Sequence, residues 1–266
     1  MAGGGSRGFD ARVAHPARVY DYWLGGKDNF EADRIAGEAT IAAYPQIRSS
    51  ARANRAFLAR TVRHLAADQG VRQFLDIGTG LPTANNTHEV AQAVAPDSRI
   101  VYVDNDPLVL SHARALLTSS PEGVTAYLDA DLRDTDRILK LAADTLDFTQ
   151  PVAIMLLAIL HYIPDLDEAQ RIMARLVGAV PSGSYVTISH AASDIAPEEM
   201  AEMIRRMNEH LAEGNHVGRP RDVVARFFDG LDLVEPGVVK VTEWRPASEL
   251  EARAATSLWG GVGRKP

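Results

Sequence analysis

Short apolar runs alternate with amphipathic helical patterns from Val71 onward. This alternation is typical of a parallel sheet covered by helices on both faces. The apolar runs predict five parallel strands, at 73–77, 99–103, 124–129, 152–158 and 185–189. Between and after them, helical periodicity with Pro, Thr or Asp start signals predicts helices at 83–94, 107–117, 135–146, 166–180, 196–212 and 221–228.

The chain returns to strand-like patterning near its end. Runs at 231–234 and 238–241 flank the turn signal Pro236-Gly237, which predicts a terminal antiparallel hairpin. Together with the five parallel strands, this gives a seven-stranded, mostly parallel sheet of the doubly wound α/β class.

The N-terminal part has a different pattern. Residues 17–60 are helix formers broken at Gly25-Gly26 and Pro45, with aromatic residues concentrated around the glycine break. Residues 1–8 are rich in glycine and lack the apolar segment of a signal peptide. We therefore predict a disordered tail at 1–10, a helical cap at 11–70 and a sheet domain at 71–266.

Composition narrows the class of protein further. Among 266 residues, 35 acidic and 28 basic side chains give a net charge of −7, which argues against binding nucleic acid through a broad basic face. The strongest apolar run, 152–160, has strand length, so no membrane span is expected. The absence of cysteine excludes thiol chemistry and fits the cytoplasm, and the eight histidines lack metal-ligand spacing, so no metal site is expected.

The first predicted strand runs directly into Asp76-Ile77-Gly78-Thr79-Gly80, and the second ends at Asp104. Glycines after a strand let a ligand approach the backbone, and a carboxylate at the next strand end can bind a ribose. The third glycine of a dinucleotide motif is replaced by Thr83, and Asp76 would repel a diphosphate. These features favour S-adenosylmethionine over NAD, although a tight turn without any ligand would also fit the glycines.

Four segments resemble successive cofactor-site motifs of class I S-adenosylmethionine-dependent methyltransferases. They are the stretch 74–83, the strand end at Asp104, the segment 128–132 and the segment 158–165. The segment 18–30, Arg-Val-Tyr-Asp-Tyr-Trp-Leu-Gly-Gly-Lys-Asp-Asn-Phe, resembles the bacterial family known as domain of unknown function 574, which is S-adenosylmethionine methyltransferase-like. The resemblance implies a Rossmann-like fold and S-adenosylmethionine as cofactor.

The resemblance also implies roles for individual residues. Asp76, Gly78 and Gly80 would lie beside the methionyl portion of the cofactor, and Asp104 would accept hydrogen bonds from the ribose hydroxyls. Asn105 would flank the adenine, and Asp131 would hold its exocyclic amine. Leu132 and Ala158 would also belong to the cofactor site. For Asp131 the alternative is an N-cap of the following helix.

Two further groups are candidates for the site. Tyr20, Tyr22, Trp23 and Asn29 surround the glycine break and could belong to a lid over the cofactor, with Tyr20 or Tyr22 covering the sulfonium. The alternative is that Tyr20, Trp23 and Phe30 simply pack the cap helices. His161 follows the fourth strand and could act as a general base or wall the pocket.

The sequence thus predicts a methyltransferase acting on an unidentified, small-molecule acceptor, without nucleic acid or membrane partners. A non-catalytic module that binds S-adenosylmethionine or S-adenosylhomocysteine, as a sensor or interaction protein, is the alternative. An NAD-dependent oxidoreductase has weaker support. The acceptor and the oligomeric state are not readable from the residues.

Overall fold

The computed structural model describes residues 10–116, 119–211 and 215–266. The predicted disordered tail lies outside these residues except for Asp10. The central sheet contains both parallel and antiparallel strand pairs. Five strands are parallel: β1 (Gln73–Ile77), β2 (Arg99–Asp104), β3 (Val124–Asp129), β4 (Ala153–Leu157) and β5 (Tyr185–Ala191). Three C-terminal strands follow: β6 (Asp232–Leu233), β7 (Val239–Lys240) and β8 (Leu258–Arg264).

The strand order is β3-β2-β1-β4-β5-β8-β6, with β7 also paired to β8. The order in which successive strands are added reverses between the parallel neighbours β1 and β4. In open α/β folds, ligands bind beside such a point, at the carboxyl ends of the strands. The predicted Rossmann-like class I fold is confirmed.

The antiparallel C-terminal part of the sheet is confirmed, but it contains one more strand and different strand pairs than the sequence predicted. Strands β6 and β7 do not pair with each other; each pairs with β8, which also pairs antiparallel with β5. The segment 258–264 was not predicted as a strand because three of its seven residues are glycine, which weakens a strand pattern. The sheet therefore has eight strands and not seven.

Ten α-helices are present in the described part of the chain. They are α1 (Pro16–Leu24), α2 (Glu31–Ala43), α3 (Ile47–Ala67), α4 (Thr87–Val94), α5 (Pro107–Leu116), α6 (Thr135–Ala142), α7 (Leu166–Ala179), α8 (Pro197–His210), α9 (Arg221–Ala225) and α10 (Glu249–Ala252). No helix among the described residues is both long and apolar enough to cross a membrane.

Helix α4 begins four residues later than the sequence predicted. Asn86 and Glu89 form a capping box, in which the Glu89 carboxylate accepts a 2.8 Å hydrogen bond from the Asn86 backbone N–H. Asn85 has a φ of 61°, a left-handed conformation that a helix interior does not tolerate. The segment from Leu81 to Asn86 is therefore a loop, which leaves room beside the end of β1.

The helices α1–α3 pack on one face of the sheet. Phe57, Val62 and Leu65 of α3 are fully buried in the same apolar cluster as Phe74 of β1 and Met155 of β4. The second apolar cluster, on the other face, includes residues of α6 and α7. The N-terminal helices thus share a core with the sheet, and they reach its carboxyl edge.

Candidate functional site

A cavity of about 440 Å³ lies at the carboxyl edge of the sheet, between the ends of β1, β2 and β4 and the N-terminal helices. Its walls bring together most of the residues that the sequence singled out. These are Tyr20, Asp76, Gly78, Gly80, Asp104, Asn105, Asp131, Leu132 and Ala158.

The glycine turn after β1 forms the floor of this cavity. Gly78 and Gly80 have φ values of 77° and 68°, which are strained for any residue with a side chain. A Cβ at Gly78 would lie 2.6–2.8 Å from side-chain atoms of Ile159, whereas one at Gly80 would meet nothing within 4 Å. Close packing against Ile159 thus excludes a side chain at Gly78. At Gly80 no neighbouring atom covers the backbone, which is open to the cavity.

Asp104 ties the glycine turn to the end of β2. Its Oδ2 accepts a 2.8 Å hydrogen bond from the Gly80 N–H, and its Oδ1 accepts a 2.9 Å bond from the Asp106 N–H. Burial raises the pKa of Asp104. A carboxylate has about four lone-pair sites, so these two bonds leave acceptor capacity for a diol in the cavity.

Asp76 is buried at the end of β1. Its Oδ2 accepts a 2.6 Å hydrogen bond from the Thr87 hydroxyl at the start of α4. Burial raises the pKa of Asp76 to about 6, so most molecules carry the charge at pH 7. This carboxylate, with Asp104 and Asp131, makes the cavity suited to a cationic ligand.

Ala158 follows β4 in a left-handed conformation with a φ of 54°. Its N–H is 3.1 Å from the Ser189 carbonyl and 3.0 Å from the Ser189 hydroxyl. The same hydroxyl donates to Asn54 of α3 over 2.6 Å, and Asn54 in turn donates to the Tyr20 hydroxyl over 3.1 Å. A buried hydrogen-bond chain thus runs from the strained end of β4 to helix α1.

Asp131 accepts a 2.9 Å hydrogen bond from the Arg133 N–H and lines the cavity. The alternative role as N-cap of α6 belongs to Asp134, whose side chain accepts from the Arg137 N–H. Asn105 is exposed and Leu132 is buried, and both contribute to the cavity wall.

Three of the aromatic and polar residues predicted around the glycine break are not among the cavity-lining residues. Trp23 is buried and donates to Thr40 of α2, Tyr22 contacts Gly37 and bonds to Glu38, and Asn29 donates to Asp21. For Trp23 this contact is of the kind that the packing alternative describes, and the contacts of Tyr22 and Asn29 also lie within the cap. Only Tyr20 of this group reaches the cavity.

His161 lies in a buried cluster of three histidines beside the cavity. Its ring is 4.6 Å from that of Tyr162, which lines the cavity, 4.4 Å from that of His216 and 5.6 Å from that of His190. Burial, with the neighbouring His216, His190 and Arg219, lowers the pKa of His161 well below the ordinary value. Burial thus keeps the imidazole neutral, and the ring is not among the cavity-lining groups but packs beside Tyr162. The described residues contain no group of three or more His, Asp or Glu side chains that could hold a metal ion.

Sequence reasoning missed Asn54 and Arg55, which approach the cavity from α3. One signal was present: Asn54 occupies the apolar stripe of a long amphipathic helix, between Ala51 and Leu58. A polar residue at such a position needs a partner, and here the partners are Ser189 and Tyr20.

Comparison with known proteins identifies relatives that are similar in sequence and in fold. A family described as S-adenosyl methyltransferase matches residues 3–266. A crystal structure of a domain of unknown function 574 family protein from Streptomyces avermitilis is 45% identical, with a TM-score of 0.92 over 97% of this chain and 99% of that chain. A proposed methyltransferase from Thermobifida fusca is 40% identical, with a TM-score of 0.89 over 99% of each chain.

More distant similarity concerns the fold alone. An O-methyltransferase family protein from Burkholderia thailandensis is 14% identical, with a TM-score of 0.53 over 88% of this chain and 59% of that chain. A search of curated proteins found no match.

Proposed function

Because the chain belongs to the S-adenosyl methyltransferase family, we propose that it transfers a methyl group to a small-molecule acceptor inside the cavity between cap and sheet. The cofactor of this family is S-adenosylmethionine. We propose which residues hold this cofactor, which class of acceptor receives the methyl group, and that the chain catalyses the transfer.

The residues of the cavity fit this cofactor. The open backbone at Gly80, where a Cβ would meet nothing, provides a surface for the ligand to approach. Asp104 would hold the ribose diol, and Asp76 the ammonium group, because both carboxylates are buried and line the cavity. Asn105, Asp131, Leu132 and Ala158 would then surround the adenine.

The observation that carries the proposal for a small-molecule acceptor is the enclosure of the site by the cap. Tyr20 of α1 and Leu58 of α3 line the same cavity as Gly78 and Asp104. A volume of about 440 Å³ is in the range of small-molecule pockets. An acceptor would have to enter this space, which favours a small molecule over a polymer.

When bound, S-adenosylmethionine supplies an electrophilic methyl carbon on its sulfonium. The chain would contribute by positioning and by excluding water, since the apolar side chains of Leu58, Leu157 and Tyr162 line the cavity. His161 is buried and is not among the lining residues, so we propose that it holds the Tyr162 ring in place and does not act as the base. Orientation of the acceptor can supply much of the rate, so a strong general base is not required.

Two measurements test the function. Calorimetry should show binding of S-adenosylhomocysteine to the protein, and the Asp104→Ala variant should bind it less well. With S-adenosylmethionine carrying a labelled methyl group, label should enter the small-molecule fraction of a bacterial extract and not its protein or nucleic-acid fractions. Absence of binding would refute the cofactor site, and binding without transfer to any fraction would favour the non-catalytic alternative. Label in macromolecules would refute the acceptor class.

A further inference from the structure

The charged residues of the cavity wall are unevenly distributed. Asp76, Asp104 and Asp131 lie at or just after the ends of β1, β2 and β3. The end of β4 and the segment after it line the cavity with uncharged side chains only, those of Leu157, Ala158, Ile159, Tyr162 and Ile163. The carboxylates proposed to hold the cofactor are therefore on one side of the cavity, and the β4 side is left without charge.

The uncharged side of the wall continues onto the cap. Leu58 of α3 and Leu211 line the cavity and belong to the same apolar cluster as Leu157. The partly buried rings of Tyr20 and Tyr162 line the cavity too and pack against that cluster. With Asn54, these side chains form a region that we call the uncharged end: Tyr20, Asn54, Leu58, Leu157, Tyr162 and Leu211.

The groups next to the uncharged end bring no charge into it. Arg55 of α3 donates through its Nη2 to two carbonyls of the loop 84–86, so this arm of its guanidinium is directed at the connection between β1 and α4. His161 and His216 pack beside Tyr162, and burial lowers the pKa of both rings, which are neutral at pH 7. A charged ligand group here would lose hydration without an opposite charge to offset the loss.

Asn54 supplies one polar group to the uncharged end. The Tyr20 hydroxyl donates to the Ala51 carbonyl over 3.0 Å, so it accepts from Asn54, and the amide nitrogen must face Tyr20. The amide oxygen accepts from the Ser189 hydroxyl over 2.6 Å. An amide nitrogen carries two hydrogens, and Asn54 Nδ2 has no second acceptor among the described residues. Because Asn54 is buried and lines the cavity, one N–H donor is left for a ligand.

We propose that the methyl acceptor is an uncharged molecule with an apolar body and a hydrogen-bond-accepting oxygen, and that the second Asn54 N–H binds this oxygen. This inference rests on the proposed function, because it assigns the substrate class of the same cavity. An apolar body is stabilised by covering Leu58, Leu157 and Tyr162. The single donor fixes its orientation, since a buried amide hydrogen without an acceptor is costly and a ligand oxygen removes that cost.

Two other roles compete with this one. In the first, Asn54 serves only to join Ser189 to Tyr20, and its effect on the acceptor is structural. In the second, the uncharged end encloses the adenine of the cofactor, and a change at Asn54 weakens cofactor binding. The three roles therefore differ in what they predict for cofactor affinity and for use of the acceptor.

The first experiment determines the charge class of the acceptor. Protein-free small molecules of a bacterial extract are separated at neutral pH into cationic, anionic and neutral pools, and the neutral pool is extracted with ethyl acetate. Each pool is incubated with the full chain and S-adenosylmethionine carrying a labelled methyl group. Label should enter the ethyl-acetate extract at least about tenfold faster than any other pool, because a charged acceptor would lose its hydration.

Faster labelling of a charged pool, or of the neutral molecules that stay in water, would overturn the inference and leave the proposed function standing. Absence of label from every pool, with S-adenosylhomocysteine bound, would overturn the proposed catalysis as well.

The second experiment uses the ethyl-acetate extract as acceptor, titrated to saturation. Asn54→Leu should raise the amount needed for half-maximal rate by about threefold to tenfold, the worth of a neutral hydrogen bond, and leave S-adenosylhomocysteine affinity within about twofold. Tyr20→Phe removes the bond from Asn54 to the cap and keeps the amide, so its increase should be smaller.

Thr61→Val is the matched control. Thr61 is a buried polar residue of the same helix, and its hydroxyl donates to the helix carbonyls of Phe57 and Leu58, so the substitution should change neither quantity. An unchanged half-maximal amount in Asn54→Leu, or an equal increase in Tyr20→Phe, would overturn the role of Asn54 in binding the acceptor. Weaker S-adenosylhomocysteine binding in Asn54→Leu would show that this end holds the cofactor, which would also overturn the inference.

Discussion

Replacing His216 by Phe is expected to make the protein more resistant to acid. His216 is 4% exposed, and neither ring nitrogen has a hydrogen-bond partner among the described residues. Its ring lies 5.2 Å from that of Tyr162 and also against His161. Burial lowers the pKa of His216 from 6.5 to about 4, so the folded protein holds this imidazole neutral.

The sign follows from proton binding in the two states. Between pH 6.5 and 4 the unfolded chain protonates His216 and the folded chain does not, so the free energy of unfolding falls as the pH falls. The loss is about 1.4 kcal/mol per pH unit, or about 3 kcal/mol over the whole interval. Burial also lowers the pKa of His190 to about 3 and that of His161, which adds losses of the same sign.

Buried carboxyl groups act in the opposite direction. The pKa of Asp76 is raised to about 6 and that of Asp104 is raised too, so both take up protons in the folded state at a higher pH than in the unfolded chain. These contributions are present in the wild type and the variant alike. The same is true of His161 and His190, so the difference between the two stability curves isolates the contribution of His216.

Urea denaturation at intervals from pH 7.5 to 4.5 measures the free energy of unfolding. At pH 7.5 the variant should lie within about 1 kcal/mol of wild type, because Phe fills the site and removes two unpaired polar atoms. At pH 5 its advantage should have grown by about 2 kcal/mol. Parallel curves for wild type, His216→Phe and a smaller variant, His216→Leu, would refute the assignment of a neutral buried imidazole.

Two substitutions test the proposed cofactor site. Asp104→Ala should weaken S-adenosylhomocysteine binding by about 1.5–3 kcal/mol with little change in the thermal midpoint, and an unchanged affinity would mean that the ribose is held elsewhere. Gly78→Val places a branched side chain at a φ of 77° and against Ile159, so we expect loss of cofactor affinity together with a lower thermal midpoint. The control Gly178→Ala, on an open face of α7, should leave the affinity unchanged and should not lower the thermal midpoint, since alanine favours a helix over glycine. Normal behaviour of Gly78→Val would refute the assigned role of the glycine turn.

Local patterning located the parallel strands because each is a short, mostly apolar run beside a strong stop signal. Strand β1 has the predicted bounds, and all five of its residues are buried. Strand β8 was missed because its place in the sheet depends on pairing with β5, β6 and β7 rather than on its own composition. Helix α4 was predicted too long because the Asn86 and Glu89 capping box overrides the earlier start signals.

The residues of the candidate site also fall into two groups, those that the sequence could reveal and those that it could not. Asp76, Gly78, Gly80 and Asp104 follow strand ends, so their convergence at one sheet edge is a consequence of topology that a sequence can reveal. Asn54 reaches the cavity only because α3 packs across the sheet, and no spacing rule relates it to Ser189, 135 residues away. Trp23 and Tyr22 belong to a family-specific motif, yet their contacts are within the cap.

The packing of α1 bears directly on the lid hypothesis. Trp23 is 4% exposed and donates to Thr40 over 3.1 Å, and the Asp21 carboxylate accepts from the Asp28 N–H over 3.0 Å. Opening the segment 20–30 would expose these buried groups to water, at a cost in both apolar contact and hydrogen bonding. The glycine turn is not enclosed by the cap helices in this way. Its Gly80 N–H donates to Asp104 at the wall of the cavity, where a ligand can cover it.

Hydrogen exchange distinguishes a mobile lid from permanent packing. With S-adenosylhomocysteine added, we expect amides of α1 to exchange at their original rate, because their protection comes from helix bonds and contacts with α2 that the ligand does not change. Amides of the glycine turn, residues 78–80, should exchange more slowly, because the ligand covers this backbone. Slower exchange across 20–29 on adding the ligand would show that the segment closes over the cofactor, and permanent packing would then be wrong. If the turn and α1 both keep their rates in a protein that binds the ligand, the cofactor does not lie on the glycine turn.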